Sequence, residues 1–459
     1  MELGHYLVAA AASLRDALTK INANHNGTVF LQDPQGSVIG ASTDGDIRRY
    51  LISGGTLDDP VSCCVNPDFL WGTHAEPREQ LLKKLDQRIR VLPILNKAMQ
   101  LVDVISRDHI PLTLEGPVYA RSMAPVRVSF GGGGSDLTHY FAEGNDGAVI
   151  NATISLYSHA TLRLREDTKV IIHSLDLDKT IQADSLADAL VIPGPFGLIQ
   201  ALLKTVDPTF GFELFLHSDF PMKSGLGGSA VISAAVLGCF NQFRRDRWDL
   251  HELSEIAYQA ERLYLGVAGG WQDQYATVFG GFNFMEFRMN QNIVHPLRVQ
   301  ADTLLELEES LILCDTGSTH DSNEIHISQQ KQMEKSHILK MVEESVRLSY
   351  EMRNAILRGK LLGFGQMLDQ AWQLKRQFSE KISDPRLDKI YTQAQRNGAV
   401  GGKLLGAGGG GFFLFYVPAF KKHDLMKHLV SVGLSPRPFR FESRGLQAWT
   451  VRESHETPR

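Results

Sequence analysis

A chain of 459 residues, 43% of them hydrophobic, is more than one small module and has the material for two or three domains with a sizeable core. Its formal net charge of −5 gives no general electrostatic reason to bind nucleic acid, and the basic run Arg244-Arg245-Asp246-Arg247 is short, mixed and reads as a solvated helix end. Four cysteines, two of them adjacent at Cys63-Cys64, form neither a disulfide framework nor a Cys-x-x-Cys metal pair, so all four are expected reduced, in a cytoplasmic protein. At the N-terminus the apolar stretch Leu7 to Ala12 is followed at once by Arg15 and Asp16. It is too short for a membrane span or a signal-peptide core and reads as a soluble first helix, with no membrane contact expected.

Further along, Thr28 to Gln32 reads as a strand, Asp33-Pro34-Gln35-Gly36 as a turn and Ser37 to Ala41 as a second strand. A helix follows Thr43-Asp44, with Asp44 as its cap and Ile47, Tyr50 and Leu51 on one face. The pattern partly recurs as a helix from Pro77 to Gln87, a strand Val91 to Leu95, a turn at Asn96-Lys97 and a strand Leu101 to Ile105. Residues 1–109 therefore read as an α/β internal repeat. The region resembles a pair of CBS domains, because Gly40-Ala41-Ser42-Thr43-Asp44-Gly45-Asp46 carries the Gly-x-x-Thr-x-x-Asp signature of such pairs. The resemblance implies that Thr43 and Asp46 hold a regulatory adenine nucleotide. The second copy departs from the signature at Asp103, Ser106 and His109, which leaves open a purely structural pair or one that joins two chains into a homodimer. His109 to Tyr119 has two prolines, a glycine and no period, so residues 110–119 read as a linker.

Beyond the linker, Ala124 to Phe130 alternates as a strand and runs into Gly131-Gly132-Gly133-Gly134-Ser135-Asp136-Leu137. Four glycines between an apolar strand and Asp136-Leu137-Thr138-His139-Tyr140-Phe141 do not read as a flexible tether. A second cluster, Pro221-Met222-Lys223-Ser224-Gly225-Leu226-Gly227-Gly228-Ser229-Ala230, runs into a small-residue helical pattern ending near Phe240. Glycines let main-chain N–H groups converge on an anion while the helix presents its positive end, which is phosphate-binding architecture. The order Gly-x-x-x-x-Gly-Lys-Ser/Thr of a Walker A loop is absent.

Asp249 to Leu265 reads as a helix with Leu253, Ile256, Ala257, Ala260 and Leu263 on one face and Glu261 near its end. Gly266 breaks it before Gly269-Gly270-Trp271-Gln272-Asp273-Gln274-Tyr275. Leu311 to Asp315 is strand-like and opens onto Thr316-Gly317-Ser318-Thr319-His320, while Ser328 to Arg358 and Pro385 to Arg396 read as amphipathic helices. The third glycine cluster, Lys403 to Gly411, contains Gly-x-Gly-x-x-Gly but precedes a strand candidate, Phe412 to Val417, and then Lys421-Lys422. A dinucleotide fingerprint needs a helix and an acidic ribose ligand there, so a nicotinamide oxidoreductase is disfavoured.

The three clusters, in this order, resemble the three motifs of the GHMP kinase superfamily. The second matches Pro-x-x-x-Gly-Leu-Gly-Ser-Ser-Ala at every specified position except Gly228; the first resembles the Ala-Pro strand motif and the third Lys-x-x-Gly-x-Gly-Gly-Gly-Gly. The resemblance implies an α+β kinase of two subdomains, residues 120–300 and 301–459, flanking an active-site cleft. It implies ATP on Lys223, Ser224, Gly225, Leu226, Gly227, Gly228, Ser229 and Ala230, and magnesium on Ser229 and Glu261, oxygen ligands that suit a hard cation. A Glu-Arg pair ahead of Gly-x-x-Asp corresponds to Glu261-Arg262 and Asp273, which makes Asp273 the catalytic residue, with Arg127 steadying negative charge. In the sugar branch, Gly-Gly-x-Ser/Thr-Asp sets Ser135 and Asp136 against substrate, and a carboxylate that accepts two hydroxyl hydrogen bonds suits a polyol. Gly408, Gly409 and His320 complete the expected substrate contacts.

Within that branch, Phe130 to Leu137, Trp271 to Tyr275 and Phe279-Gly280-Gly281-Phe282-Asn283 look most like the heptose 7-phosphate kinases. That resemblance implies a small-molecule sugar phosphate as partner and phosphorylation of its anomeric hydroxyl. Fucose or another deoxysugar is the alternative acceptor. A non-enzymatic adenine-nucleotide sensor is the alternative from another class, although Ser229, Glu261 and Asp273 are all present.

Overall fold

The computed structural model describes residues 3–74, 76, 78–85, 89–106, 118–222, 224–318, 322–333 and 335–452. Lys223, His109, His320 and most of the expected linker lie outside the described residues. The chain divides into two compact units, Met1–Glu115 and Gly116–Arg459.

In the first unit, β1 (Leu7–Ala9) leads to α1 (Leu14–Asn24), a hairpin of β2 (Thr28–Gln32) and β3 (Val38–Thr43), and α2 (Asp44–Ile52). The apolar stretch expected to be helical is thus a strand: β1 lies parallel to β2, and the helix waits until Ser13 and Asp16 form a capping box ahead of Leu14. The cap of α2 is Thr43 rather than Asp44, again in a capping box, here with Asp46. A short helix α3 (Arg78–Lys83) and a second hairpin, β4 (Val91–Leu95) and β5 (Leu101–Ser106), follow. The helix is shorter than the Pro77 to Gln87 expected, both of which fall outside the described residues.

The repeat is real at the level of backbone. Both hairpins shift register near the end of their first strand, at Leu31/Gln32 and Ile94/Leu95, and in the second half Gly72 forms a parallel bridge to Ile94 where β1 lies beside β2. The hairpin tips touch, with Val38 N–H donating to the Met99 carbonyl at 2.8 Å. Phe30, Val38, Val91 and Val104 bury one shared core beside them.

The second unit opens with β6 (Val118–Gly131), so Val118 and Tyr119 belong to a strand rather than to a linker. It continues through α4 (Thr138–Ala142), β7 (Gly147–Leu164), β8 (Val170–Ser174), β9 (Lys179–Ala183), α5 (Leu186–Val191), α6 (Gly197–Val206) and β10 (Phe212–Ser218). Then come α7 (Gly228–Gln242), α8 (Leu250–Gln259), a single π turn (Ala260–Tyr264), α9 (Gln272–Phe279), β11 (Phe282–Arg288) and β12 (Gln291–Pro296). The long strand β7 organises the main sheet, pairing antiparallel with β6 along one edge and with β11 and β10 along the other. Helix α7 is apolar almost all round, which is the signature of a buried helix, and it packs under this sheet with Ser122 Oγ donating to the Ala235 carbonyl.

The rest of the unit comprises α10 (Ala301–Ser310), β13 (Leu311–Asp315), α11 (Ser322–Met333), α12 (Ser336–Leu357), α13 (Leu361–Lys375) and α14 (Pro385–Arg396). It ends with β14 (Gly401–Leu404), β15 (Phe412–Tyr416), α15 (Ala419–Ser431), β16 (Ser435–Arg437) and β17 (Gln447–Arg452). The stretch expected as one helix from Ser328 to Arg358 is two, because extended backbone at Lys335 (ψ 126°) interrupts it. Strands β13 to β16 form a second antiparallel sheet in the order β14-β15-β13-β16. The last strand, β17, leaves that region and pairs antiparallel with β6, closing the free edge of the first sheet.

Candidate active site

The three glycine clusters meet at one cavity of about 460 Å³ in the second unit. Arg127 reaches it from the fully buried half of β6. Its guanidinium grips Asp273 in a fork, Nε to Oδ1 and NH2 to Oδ2, both at 2.8 Å, and NH1 donates to the Gly225 carbonyl at 2.8 Å. Arg127 is 5% exposed and Asp273 27%, so the fork is anchored in the core and presented at the cavity. Bidentate pairing of this kind fixes orientation as well as charge.

Gly225 and Gly227 lie at φ 76° and 80°, where only glycine is unstrained. A Cβ on Gly225 would stand 2.7 Å from the Leu405 carbonyl oxygen, and one on Gly227 3.3 Å from Asp273 Oδ2. The third cluster therefore backs the second, and the second lies directly over the Arg127–Asp273 fork. Among the described residues no side chain caps α7, which leaves its first amides available to an anion at the positive end of the helix.

Of the residues expected at the nucleotide, Ser224, Gly225, Gly227, Gly228 and Ser229 line the cavity, while the side chains of Leu226 and Ala230 are buried in the core. Ser229 Oγ donates to Glu261 Oε1, and Gln274 Nε2 donates to Glu261 Oε2 at 2.7 Å. Glu261 sits in the π turn that ends α8, a wide turn of the kind frequent at functional sites. Its neighbour Arg262 approaches Oε1 to 3.4 Å and donates to the carbonyls of Val267, Ala268 and Gly270, holding the loop that leads into α9.

Asp136, 9% exposed, lines the cavity and accepts from the N–H groups of Gly134 at 3.1 Å and Gln272 at 3.3 Å. Burial, then the charge of Asp273, push its carboxyl above the ordinary aspartate range. Its neighbour Ser135 does not face the cavity. The Ser135 hydroxyl donates to the Gly132 and Ala148 carbonyls and accepts from the Ala148 N–H, closing the glycine turn rather than reaching a substrate. Gly408 and Gly409 also stand off the cavity: Gly408 packs against Ile382 and Gly409 N–H donates to the Ile382 carbonyl at 2.8 Å. Gly406 and Ala407 take the place expected for them.

Three cavity residues escaped sequence reasoning as individuals with a role: His326 on α11, Lys375 at the end of α13, and Lys403 within β14. A signal was present. Leu361, Phe364, Leu368, Ala371 and Trp372 mark the buried face of α13, and Lys375 falls three residues after Trp372 on that same face. Lys403 interrupts a wholly buried strand.

Four buried polar atoms on the cavity wall have no partner among the described residues: Ser224 Oγ, Gln272 Nε2, Arg262 Nε and His326 Nδ1. Native interiors rarely leave such groups unsatisfied, so a polar, hydrogen-bonding ligand suits the space. A serine hydroxyl beside a carboxylate that a glutamine already orients is a hard oxygen pair of the kind magnesium takes. The described residues contain no group of three or more His, Cys, Asp or Glu side chains arranged to hold a metal ion.

Comparison with known proteins agrees with this geometry. A family model described as the GHMP kinases N terminal domain matches residues 195–281, and one described as GHMP kinases C terminal matches residues 352–424. A D-glycero-alpha-D-manno-heptose 7-phosphate kinase of Campylobacter jejuni is 35% identical over 343 residues, 72% of this chain and 99% of that protein. The crystal structure of a D-glycero-D-manno-heptose 1-phosphate kinase from Bacteroides thetaiotaomicron superposes with a TM-score of 0.61 at 28% identity, covering 73% of this chain and 100% of the other. Lactococcus lactis galactokinase complexed with galactose shares the fold, with a TM-score of 0.60 at 19% identity over 72% of this chain and 95% of its own.

Proposed function

The chain belongs to the GHMP kinases, and on that premise we propose that this ATP-dependent sugar kinase phosphorylates the anomeric hydroxyl of a heptose 7-phosphate. The observation that carries the chemistry is the Arg127–Asp273 fork beneath the phosphate-type loop. A hydroxyl seated at Asp273 hands its proton to the carboxylate as its oxygen attacks the γ-phosphorus of ATP, the bond from that phosphorus to the bridging oxygen breaks and ADP leaves with its electron pair, and Arg127 neutralises the negative charge wherever it lies along that path. Asp136 accepts sugar hydroxyls; each such donation favours its charged form and offsets the burial that opposes it.

The open amides at the start of α7 and the glycine backbone receive the ATP phosphates. Ser229 and Glu261 would hold magnesium, which when bound neutralises phosphate charge and orients the transferring group. The heptose acceptor rests on the 35% identity to a heptose 7-phosphate kinase across nearly all of that protein. One ADP-release assay over heptose 7-phosphate, heptose, fucose and galactose tests it. Heptose 7-phosphate is expected to give the highest kcat/KM, and fucose in first place would overturn the acceptor while leaving the kinase.

For the first unit we propose a CBS-type pair, supported by the two matching hairpins and their joined tips. Thr43 and Asp46 already serve each other there: Thr43 Oγ1 donates to Asp46 Oδ2 at 2.6 Å, and the Asp46 N–H donates back to Thr43 Oγ1 at 3.2 Å. That closed box favours a structural or chain-pairing role over nucleotide sensing. Calorimetry with AMP, ADP and ATP on the full chain, set against size-exclusion mass, separates the two.

A further inference from the structure

Within the cavity, four cationic side chains, Arg127, Arg262, Lys375 and Lys403, face three acidic ones, Asp136, Glu261 and Asp273. Asp273 answers Arg127, and Glu261 answers Arg262. The two lysines have no carboxylate partner among the described residues. Among the described residues Lys375 Nζ donates to the Leu404 and Gly406 carbonyls, and Lys403 Nζ to the Ser129 carbonyl at 3.1 Å. Lys375 is 7% exposed and Lys403 2%.

An ammonium carries three donors, and burying one without an opposite charge is costly. The cost is visible in both groups: burial, then Arg127, lowers Lys375 to about 7, and burial, then Lys375, lowers Lys403 well below the ordinary lysine range. His326, whose Nδ1 lacks a partner, is close enough to Lys375 for the two to feel each other. Burial, then Arg262, pushes it down to about 4, so it is neutral at physiological pH and can donate only a hydrogen bond.

Position separates these groups from the nucleotide. The amides of α7 and the Ser229–Glu261 pair serve the ATP phosphates. The charges that act on Lys375 are those of Arg127, Asp136 and Asp273, and those that act on Lys403 are those of Lys375, Arg127 and Asp136. Lys403 Nζ is held by the Ser129 carbonyl, just ahead of the glycine turn that carries Asp136, and both lysines line the same cavity as Asp136, the carboxylate that meets the sugar. A phosphate monoester brings close to two negative charges and three acceptor oxygens, which would favour the protonated form that burial opposes in both lysines and accept a hydrogen bond from the neutral imidazole.

We propose that Lys375 and Lys403, assisted by His326, form the subsite that receives the acceptor sugar's own phosphate group and so select a sugar phosphate over the free sugar. The inference rests on the sugar-phosphate reading above. The lysines belong to α13 and β14, whereas the open amides proposed for the ATP phosphates belong to the start of α7.

The test is the ratio of kcat/KM for heptose 7-phosphate to that for heptose, measured in the full chain and in Lys375→Met, Lys403→Met and His326→Gln. Losing a charge-assisted hydrogen bond to phosphate is expected to cut the ratio on the order of 10- to 100-fold for each lysine, and less for His326, with KM for ATP little changed. A wild-type ratio near one would overturn the acceptor class and the subsite with it. A strong wild-type preference that survives in the variants would overturn the subsite alone. Should the buried lysine variants fail to fold, His326→Gln and inorganic phosphate decide: phosphate competing with the sugar phosphate supports the subsite, and phosphate competing only with ATP overturns it.

Discussion

Thr43 with Asp46 in the first unit and Ser224 with Gln272 in the second are all residues of recognisable motifs, yet the structure treats them in opposite ways. Thr43 and Asp46 exchange hydrogen bonds until their capping box is complete. Ser224 Oγ and Gln272 Nε2 are buried on a cavity wall with no partner among the described residues. A motif whose polar atoms satisfy one another has explained itself by local folding, whereas one that leaves them unsatisfied has set aside free energy for a guest. The contrast predicts where substitutions change chemistry and where they change only stability.

The largest effect should come from the fork. Asp273→Asn removes the proton acceptor while keeping its size, and turnover is expected to fall by roughly 10²–10⁴ with KM for ATP nearly unchanged. Steady-state kinetics checks this, and wild-type turnover would strip Asp273 of its role. Next, Ser229→Ala and Glu261→Gln should each raise the magnesium needed for half-maximal rate, by at least the roughly 10- to 100-fold that losing an outer-shell partner costs. Unchanged magnesium titrations in both variants would place the ion elsewhere.

A smaller effect concerns pH. The acceptor's phosphate becomes a dianion above about 6, and burial, then Arg127, lower Lys375 to about 7, so that it is protonated below that pH and neutral above it. Arg127, Asp136, Asp273, Glu261, Arg262, Lys403 and the neutral His326 face the same space. KM for the sugar phosphate should thus be lowest between about 6 and about 7 and rise as pH climbs beyond it, since binding must then restore the proton to Lys375. Lys375→Met should flatten the alkaline rise; a wild-type KM that does not change from 7 to 9 would contradict the assignment.

The smallest effect lies in the first unit, where Thr43→Ala removes a cap and should cost ~0.5–2 kcal/mol, lowering the melting temperature with turnover unaffected. A variant that keeps its melting temperature but loses adenine-nucleotide binding would show that the box was built for a ligand, and the contrast between the units would collapse.

The same contrast explains what the sequence disclosed. Strands β2, β4, β13 and β15 and helix α14 announce themselves through apolar patterning and punctuation, as do the three glycine clusters, because each depends on neighbours in the chain. Asp136 and Ser135 are adjacent in one motif, but only the fold decides that the aspartate faces the cavity and the serine closes the turn behind it. The short strand β1 was masked by alanines that suit a helix better, until its parallel pairing with β2 overrode propensity. Lys375 and Lys403 were hard to read as a pair because α13 and β14 bring them together only in the folded chain, and a lone lysine on an apolar face signals a functional group without naming its partner.

One consequence follows from the last strand. β17 zips onto β6, the strand that carries Arg127, from Gln447 against Met123 to Arg452 against Val118. During synthesis the ribosome delivers β6 well before β17, and its outer edge stays unpaired until the whole stretch between Gly131 and Gln447 has emerged. The kinase unit thus cannot mature one half at a time, in the N-terminal-first order usual for separate domains. For most of its birth it carries an open sheet edge that other nascent chains could pair with, and a premature stop shortly before Gln447 would leave that edge permanently bare.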